Sequence, residues 1–359
     1  MTQYDIPPTE GIKYAGSKLK IIPFILECIE PFAFQNVLDG FAGTTRVGQV
    51  FAQRGMAVTS NDISAWSEVF GNCYFKSERP DPFYEKLIEE LNRMDGVNGW
   101  FSQNYGGSGT DAKKPFQIHN TMKLDAIRDH IDTLDLSFPD KCVLLTSLIL
   151  AMDAVDSTIG HFSSYLSEWS DRSYHTMKMK LPRRFPTDTK KHTVLKGDIF
   201  DAIRYKNYDF AYLDPPYGSN NEKMPPSRVR YSAYYHIWTS IILNDKPELF
   251  GKVCRRTDSK DTVSSSVFEE FRKDDTGHFI AINAIDKMLR EVQADYVMLS
   301  YSSGGRATKQ DLTDCIDTRG KLVKAVEIDY RKNVMANMKW TNEWTNDTRN
   351  QEYLFLIKK

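Results

Sequence analysis

Between Ser17 and Glu30 the apolar positions Leu19, Ile22, Ile25, Leu26 and Ile29 recur at the spacing that gathers them on one helix face. This predicts a packed amphipathic helix with Ser17 as its N-cap. The next apolar run, NVLDGF, is short and continuous, as a buried strand is. TTRVGQVFAQRG predicts a helix with Val47, Val50 and Phe51 inward and Gly55 as its stop, and MAVTSND a second strand. Strand, glycine-containing turn, helix and strand in that order make a βαβ unit, which implies a parallel sheet with helices on its faces.

The pattern changes between Lys76 and about Lys191. Trp100 to Pro115 is rich in Gly, Ser and Asn, while Ser170 to Lys191 is basic, aromatic and interrupted by proline, as an insertion would be. Within this stretch Lys141 to Ser157 is the most apolar helix, so an insertion would meet the core there. The βα rhythm resumes with HTVLKGD, a short helix through Ile203 and the strand YDFAYLD. FIAINAIDKMLREV then predicts a helix with Ile285, Met288, Leu289 and Val292 in register, and ADYVMLSYS and EYLFLIKK predict strands. The expected architecture is α/β with a mainly parallel sheet, its sequence split into 1–78 and 192–359 by an inserted region, 79–191.

Composition narrows this only a little. With 359 residues, 41% hydrophobic and 26% charged, the chain can bury a substantial core. Its net charge of −1 leaves any nucleic-acid surface to a local basic patch. The five scattered cysteines form no CxxC pair, which fits a reducing compartment and argues against a cysteine metal site. The first residues lack a charged and then apolar leader, and Val143 to Met152 is too short to span a bilayer, so a cytoplasmic location is expected.

The sharpest chemical signal is Asp214-Pro215-Pro216-Tyr217, at the end of the strand Phe210 to Leu213. The carboxyl end of a parallel strand is where α/β folds place their sites. Two prolines there can also make a plain exit turn. The residue types suit an aromatic amino group, whose lone pair is conjugated into its ring and must be localised before it can attack. A carboxylate at Asp214 and the main-chain carbonyl of Pro215 can both accept from an NH₂, and Tyr217 can supply a stacking face.

Asp39-Gly40-Phe41-Ala42-Gly43 opens the second helix, with Asp62 at the end of the next strand. A glycine turn with an acidic residue about 20 positions later suits the ribose of an adenosine-like ligand, although many βαβ units share both features. Neither a GxGxxG fingerprint nor a GxxxxGK[ST] loop occurs, which disfavours hydride transfer and nucleotide hydrolysis. Lys13-Tyr14-Ala15-Gly16-Ser17-Lys18 is either a simple lead into the first helix or a third site segment.

KYAGSK, DGFAGTT and DPPY in this order resemble the D12-class, Dam-like, adenine-specific DNA methyltransferases of alpha order, over most of the chain. The resemblance implies a Rossmann-like catalytic domain using S-adenosyl-L-methionine and methylating N6 of an adenine flipped from double-stranded DNA. It implies catalytic roles for Asp214, Pro215, Pro216 and Tyr217. It places Lys13, Tyr14, Gly16, Lys18, Asp39, Phe41, Ala42 and Gly43 with Asp62, Ile63, Asp198 and Ile199 about the cofactor. Asp198 reads equally as the N-cap of the short helix after it. The family's second FxGxG glycine is Thr45 here. No metal is implied.

On the same resemblance the insertion is the target-recognition region, with Lys178, Lys180, Arg183 and Arg184 as DNA contacts, though a solvated basic loop reads the same way. A second DNA-contacting loop, about 219–275, brings Arg228, Arg230 and Tyr231. Restriction-modification would add a cognate endonuclease, encoded separately, as partner. Cytosine N4 or a side-chain amide poses the same lone-pair problem, and a non-catalytic DNA-binding module could keep the fold. His161 and His236 read as packing residues, since no carboxylate cluster accompanies them.

Overall fold

A computed structural model describes residues 6–109, 114–218, 230–260, 263, 266–330 and 350–359. Seven strands form the central sheet: β1 (Asn36–Asp39), β2 (Ala57–Asp62), β3 (Thr193–Lys196), β4 (Tyr208–Leu213), β5 (Ala294–Ser302), β6 (Lys321–Tyr330) and β7 (Asn350–Lys358). Their spatial order is β6-β7-β5-β4-β1-β2-β3. The five strands from β5 to β3 run parallel, and β7 lies antiparallel between β5 and β6. This is a Rossmann-like methyltransferase sheet.

Alternation along the strands divides the apolar residues between two faces. Val37, Val58, Phe210, Tyr212 and Leu354 face α1 (Ile22–Ile29), α2 (Arg46–Gln53) and α3 (Ala65–Phe75). Leu38, Ala211, Leu213, Val297 and Phe355 face α8 (Ile199–Ala202), α11 (Ile280–Glu291) and α12 (Lys309–Arg319). The inserted region brings α4 (Asp81–Asn92), α5 (Trp100–Tyr105), α6 (Ile118–Thr133) and α7 (Phe138–Ala154). Its core is continuous with the first face. After β4, α9 (Tyr231–Tyr234) and α10 (His236–Leu243) return to that face. Arg128 of α6 donates to the carbonyls of Ile241 (2.5 Å) and Ile242 (3.0 Å), tying α10 to the insertion.

One local expectation needs correction. The first helix begins at Ile22, with Pro23 in its opening turn; Ser17 lies in a turn closed on the Tyr14 carbonyl, and Leu19 is exposed. Proline favours the first turn because it has no N–H to offer an i−4 carbonyl. The Gly/Ser/Asn-rich stretch after Gly99 holds a helix, α5, because Phe101 and Tyr105 bury one turn apart and Asp125 accepts the Phe101 and Ser102 N–H groups.

Candidate active site

The carboxyl ends of β1, β2 and β4 lie side by side, Asp39 in register with Ser60 and Tyr212. Three carboxylates, Asp39, Asp62 and Asp214, therefore reach one edge of the sheet. They line a cavity of about 690 Å³ together with the glycine turn and aromatic residues of α3 and α9. The size falls within the range of small-molecule sites.

The glycine turn is held by fixed backbone geometry. Gly43 has φ +51°, and a Cβ there would press on the Tyr14 ring at 3.1 Å. Its N–H donates to Asp62 Oδ2 (2.9 Å), while the Ser64 N–H and hydroxyl donate to Asp62 Oδ1 (2.9 and 2.6 Å). Burial raises the proton affinity of Asp62, and these donors oppose that rise. Asp39 is held by the Gly48 N–H (2.9 Å), and burial pushes its carboxyl up to about 7.

Thr45, where the related pattern carries glycine, sits buried in the left-handed region at φ 60°. That conformation costs a non-glycine residue roughly 1–2 kcal/mol. Gln49 helps hold it there by donating to the Thr45 hydroxyl (3.0 Å), and Gln49 also bonds the Glu10 carbonyl (2.9 Å). Substitution of glycine thus leaves the turn's backbone shape intact.

At Asp214 the partners are side chains instead. Lys18 Nζ lies 2.9 Å from Asp214 Oδ1 and 3.1 Å from Glu352 Oε1, and donates to the Tyr217 hydroxyl at 2.5 Å. The Tyr217 hydroxyl also bonds Asp214 and approaches Glu352 Oε1 at 2.5 Å. Ser300 of β5 donates to Glu352 at 2.8 Å. Burial and the Glu352 carboxylate raise the Asp214 carboxyl to about 6, against the pull of Lys18 and Tyr217. Burial pushes Lys18 down, but the two carboxylates win and hold it at about 12.

Residues 14–297 match the family described as D12 class N6 adenine-specific DNA methyltransferase. The chain belongs to that family. It is 25% identical over 358 residues to the type II methyltransferase M.NlaIII of Neisseria lactamica, covering 97% of this chain and 99% of that protein. It is 26% identical over 360 residues to M.CviAII of Paramecium bursaria Chlorella virus 1, covering 96% and 98%. Against the modification methylase StsI of Streptococcus sanguinis it is 25% identical over 352 residues, covering 92% of this chain but 50% of that one, so it spans about half that relative's length.

The D12-class segments converge on the cavity. Tyr14, Gly16 and Lys18, Asp39 to Gly43, Asp62, Ile63, Asp198 and Ile199 all line it. Lys13 does not: its ammonium bonds the Asp153 carbonyl and pairs with Asp156 at 2.9 Å, fastening the KYAGSK segment to the insertion. Asp198 lines the cavity and also accepts the Phe200 N–H (2.8 Å) as a helix cap.

Of the DPPY residues, Asp214 and Pro216 reach the cavity wall. Tyr217 is turned away, its ring 4.8 Å from that of Tyr301 and beneath Lys18 Nζ, because its hydroxyl is anchored in the Asp214 cluster. The aromatic residues lining the cavity beside Asp62 and Asp214 include Tyr14 and Tyr231, whose ring centroids lie 5.3 Å apart, and Trp66, 5.4 Å from Tyr14. Trp66, Ser300 and Glu352 were not singled out in the sequence. Trp66 sits four residues after Asp62 in an otherwise ordinary helix start, and the other two acquire meaning only through strand pairing.

The expected DNA contacts divide. In the extended run 177–180, Met177 and Met179 are buried while Lys178 and Lys180 point outward, and Asn120 and Asn92 accept the two methionine N–H groups. Arg183 is exposed. Arg184 is committed internally, donating to Ser77, the Arg79 carbonyl and Asp81 and lying over the Tyr84 ring. Arg230 is buried, Tyr231 faces the cavity, and Arg228 lies outside the described residues. His161 stacks on Tyr234 at 4.2 Å, and burial drives His236 down to about 3, so both serve packing.

Proposed function

We propose that this chain methylates N6 of an adenine in double-stranded DNA, using S-adenosyl-L-methionine. The observation that carries the reading is Asp214 at the mouth of a strand, beside aromatic faces and opening into the same cavity as the Gly43 turn and Asp62. The cavity suits the cofactor on physical grounds: Gly43 lets the Tyr14 ring pack on the turn at the cavity wall, Asp62 would offer a carboxylate to the ribose, and exposed Ile63 gives an apolar edge for an adenine ring. When bound, the cofactor would supply an electrophilic methyl group on a sulfonium sulfur.

The residues of the chain prepare the amino group. A flipped adenine stacked by Tyr14 or Tyr231 would place its NH₂ at Asp214, and stacking of roughly 1–3 kcal/mol offsets a flipping cost of similar size. Asp214, as a carboxylate, accepts one N–H and so favours a tetrahedral nitrogen whose lone pair is available. After N–C bond formation the nitrogen must shed a proton, and Asp214 is positioned to take it. Burial of the cluster excludes water from this exchange.

Lys178, Lys180 and Arg183 would grip the phosphate backbone, making region 79–191 the target-recognition region, with the loop of about 219–275 as a second DNA contact. A separately encoded restriction endonuclease would be the functional partner, and the cytoplasm the place where both meet DNA. Among the described residues no helix is long and apolar enough to cross a membrane.

The test is transfer of a labelled methyl group to unmethylated duplex DNA, with Asp214→Ala as control and nucleoside analysis of the product. Label in N6-methyladenine that the variant loses supports the reading. Label in methylcytosine or protein would keep the fold and change the acceptor, and cofactor binding without any transfer would leave a DNA-binding module.

A further inference from the structure

Glu352 lies on β7, beyond the residues matched by the family, yet it is built into the Asp214 cluster. We propose that Glu352 is a positioning residue of the methyl-transfer site, sharing one proton with Asp214 through the Tyr217 hydroxyl and so deciding when Asp214 is a free carboxylate. The proposal rests on the functional reading above for its purpose, but its geometry stands apart from it.

The Tyr217 oxygen touches Asp214 Oδ1, Glu352 Oε1 and Lys18 Nζ, with the Ser300 hydroxyl farther off at 3.3 Å. A phenol carries one proton and two lone pairs, so it can donate to only one of the two carboxyl groups. Lys18 occupies one lone pair as a donor. The remaining carboxyl oxygen can bond the phenol only if it brings its own proton. Lys18 serves both carboxyl groups, 2.9 Å from Asp214 and 3.1 Å from Glu352, but Ser300 donates to Glu352 Oε1 (2.8 Å), which favours the anion there and leaves the shared proton on Asp214 in the ligand-free site.

Charge balance agrees. One lysine against two buried carboxylates leaves a net negative charge, which burial penalises; one shared proton makes the cluster neutral. The raised carboxyl of Asp214 is in keeping with this. The other titratable groups facing the pair are Asp39 and Tyr212 on β1 and β4, and Tyr14 and Tyr231 across the cavity. Beside Glu352, β6 presents uncharged Ile328.

Asp214 becomes an acceptor for the adenine amino group by an internal transfer. Its proton passes to the Tyr217 oxygen while the phenol's own proton passes to Glu352. One O–H bond breaks at Asp214, one forms at Glu352, Tyr217 ends as it began, and no outside acid or base is consumed.

The test follows the Asp214 carboxyl directly, by ¹³C NMR titration of the ligand-free full chain carrying carboxyl-labelled aspartate, with Asp214→Asn to identify the resonance. Glu352→Gln should lower the proton affinity of Asp214 about tenfold, and Ser300→Ala, which leaves the Glu352 anion less supported, should lower it by less. No shift in either variant overturns the proposal; if Glu352→Gln does not fold, Ser300→Ala decides alone. In a Tyr217→Phe background the Glu352→Gln effect should shrink to less than half. An undiminished effect would reduce Glu352 to a distant charge and overturn the sharing. Because no DNA is present, failure here leaves the methylation reading standing, and failure of methylation leaves the titration standing.

Discussion

Asp62 and Asp214 are both carboxylates at the ends of parallel strands that flank β1, yet they are held in opposite ways. Asp62 is met by the Gly43 and Ser64 backbone amides and one serine hydroxyl. Asp214 is met by Lys18 and Tyr217, with Glu352 behind them. Backbone dipoles neither titrate nor move away, so Asp62 is a fixed acceptor suited to recognising a ligand that arrives unchanged on every cycle. Ionisable partners can exchange protons, so Asp214 suits a step in which charge develops and is dispersed.

The contrast breaks most readily at Asp214. Asp214→Ala should cut turnover at least about a hundredfold while leaving cofactor affinity within about threefold by calorimetry. Equal loss of both would mean that the two carboxylates are not functionally separate. Asp62→Ala should do the reverse, weakening cofactor binding by about ten- to a hundredfold, as expected for lost charge-assisted hydrogen bonds, with turnover at saturation much less affected.

The pH profile sharpens the comparison. The Asp214 carboxyl is raised to about 6, so its neutral form accumulates as pH falls through that value. Turnover at saturating substrates should be full above about pH 6 and fall below it, where only molecules whose shared proton has passed to Glu352 offer a free Asp214 carboxylate. A rate that is flat down to pH 5 would show that the acceptor is not Asp214.

The smallest effect is expected in the turn. Thr45→Gly relieves a left-handed threonine but adds backbone freedom to the unfolded chain and loses the Gln49 bond. Stability by chemical denaturation should therefore change by less than about 1 kcal/mol. A larger loss would mark Gln49, and the Glu10 segment it holds, as a structural clamp on the turn.

The Asp39-to-Asp62 side of the cavity was largely legible in the sequence, because its devices are local. A strand, a glycine turn, a helix and a strand-end carboxylate fall in order along residues 36–62, and hydrophobic alternation specifies each. The start of the first helix was misplaced because amphipathic spacing extends back to Leu19, whereas the chain between Tyr14 and Lys18 is drawn into a turn at the cavity. Tyr217 turns its ring from the cavity for a similar reason: sequence gives the ring but not the hydroxyl's partners. Glu352, 135 residues from Tyr217, reads in EYLFLIKK as one polar neighbour of a buried strand. Only the insertion of β7 beside β5 brings it to the cluster.

That antiparallel strand also has a bearing on how the protein is made. Synthesis runs from the amino end, and domains begin to organise as they emerge. Lys18, Asp214, Tyr217 and Ser300 are all translated before Glu352. A nascent chain lacking β7 has β5 as an open edge and one carboxylate fewer beside Lys18, so no growing chain holds the finished cluster. Completion of the cluster is thereby tied to the pairing of β7 with β5 and β6.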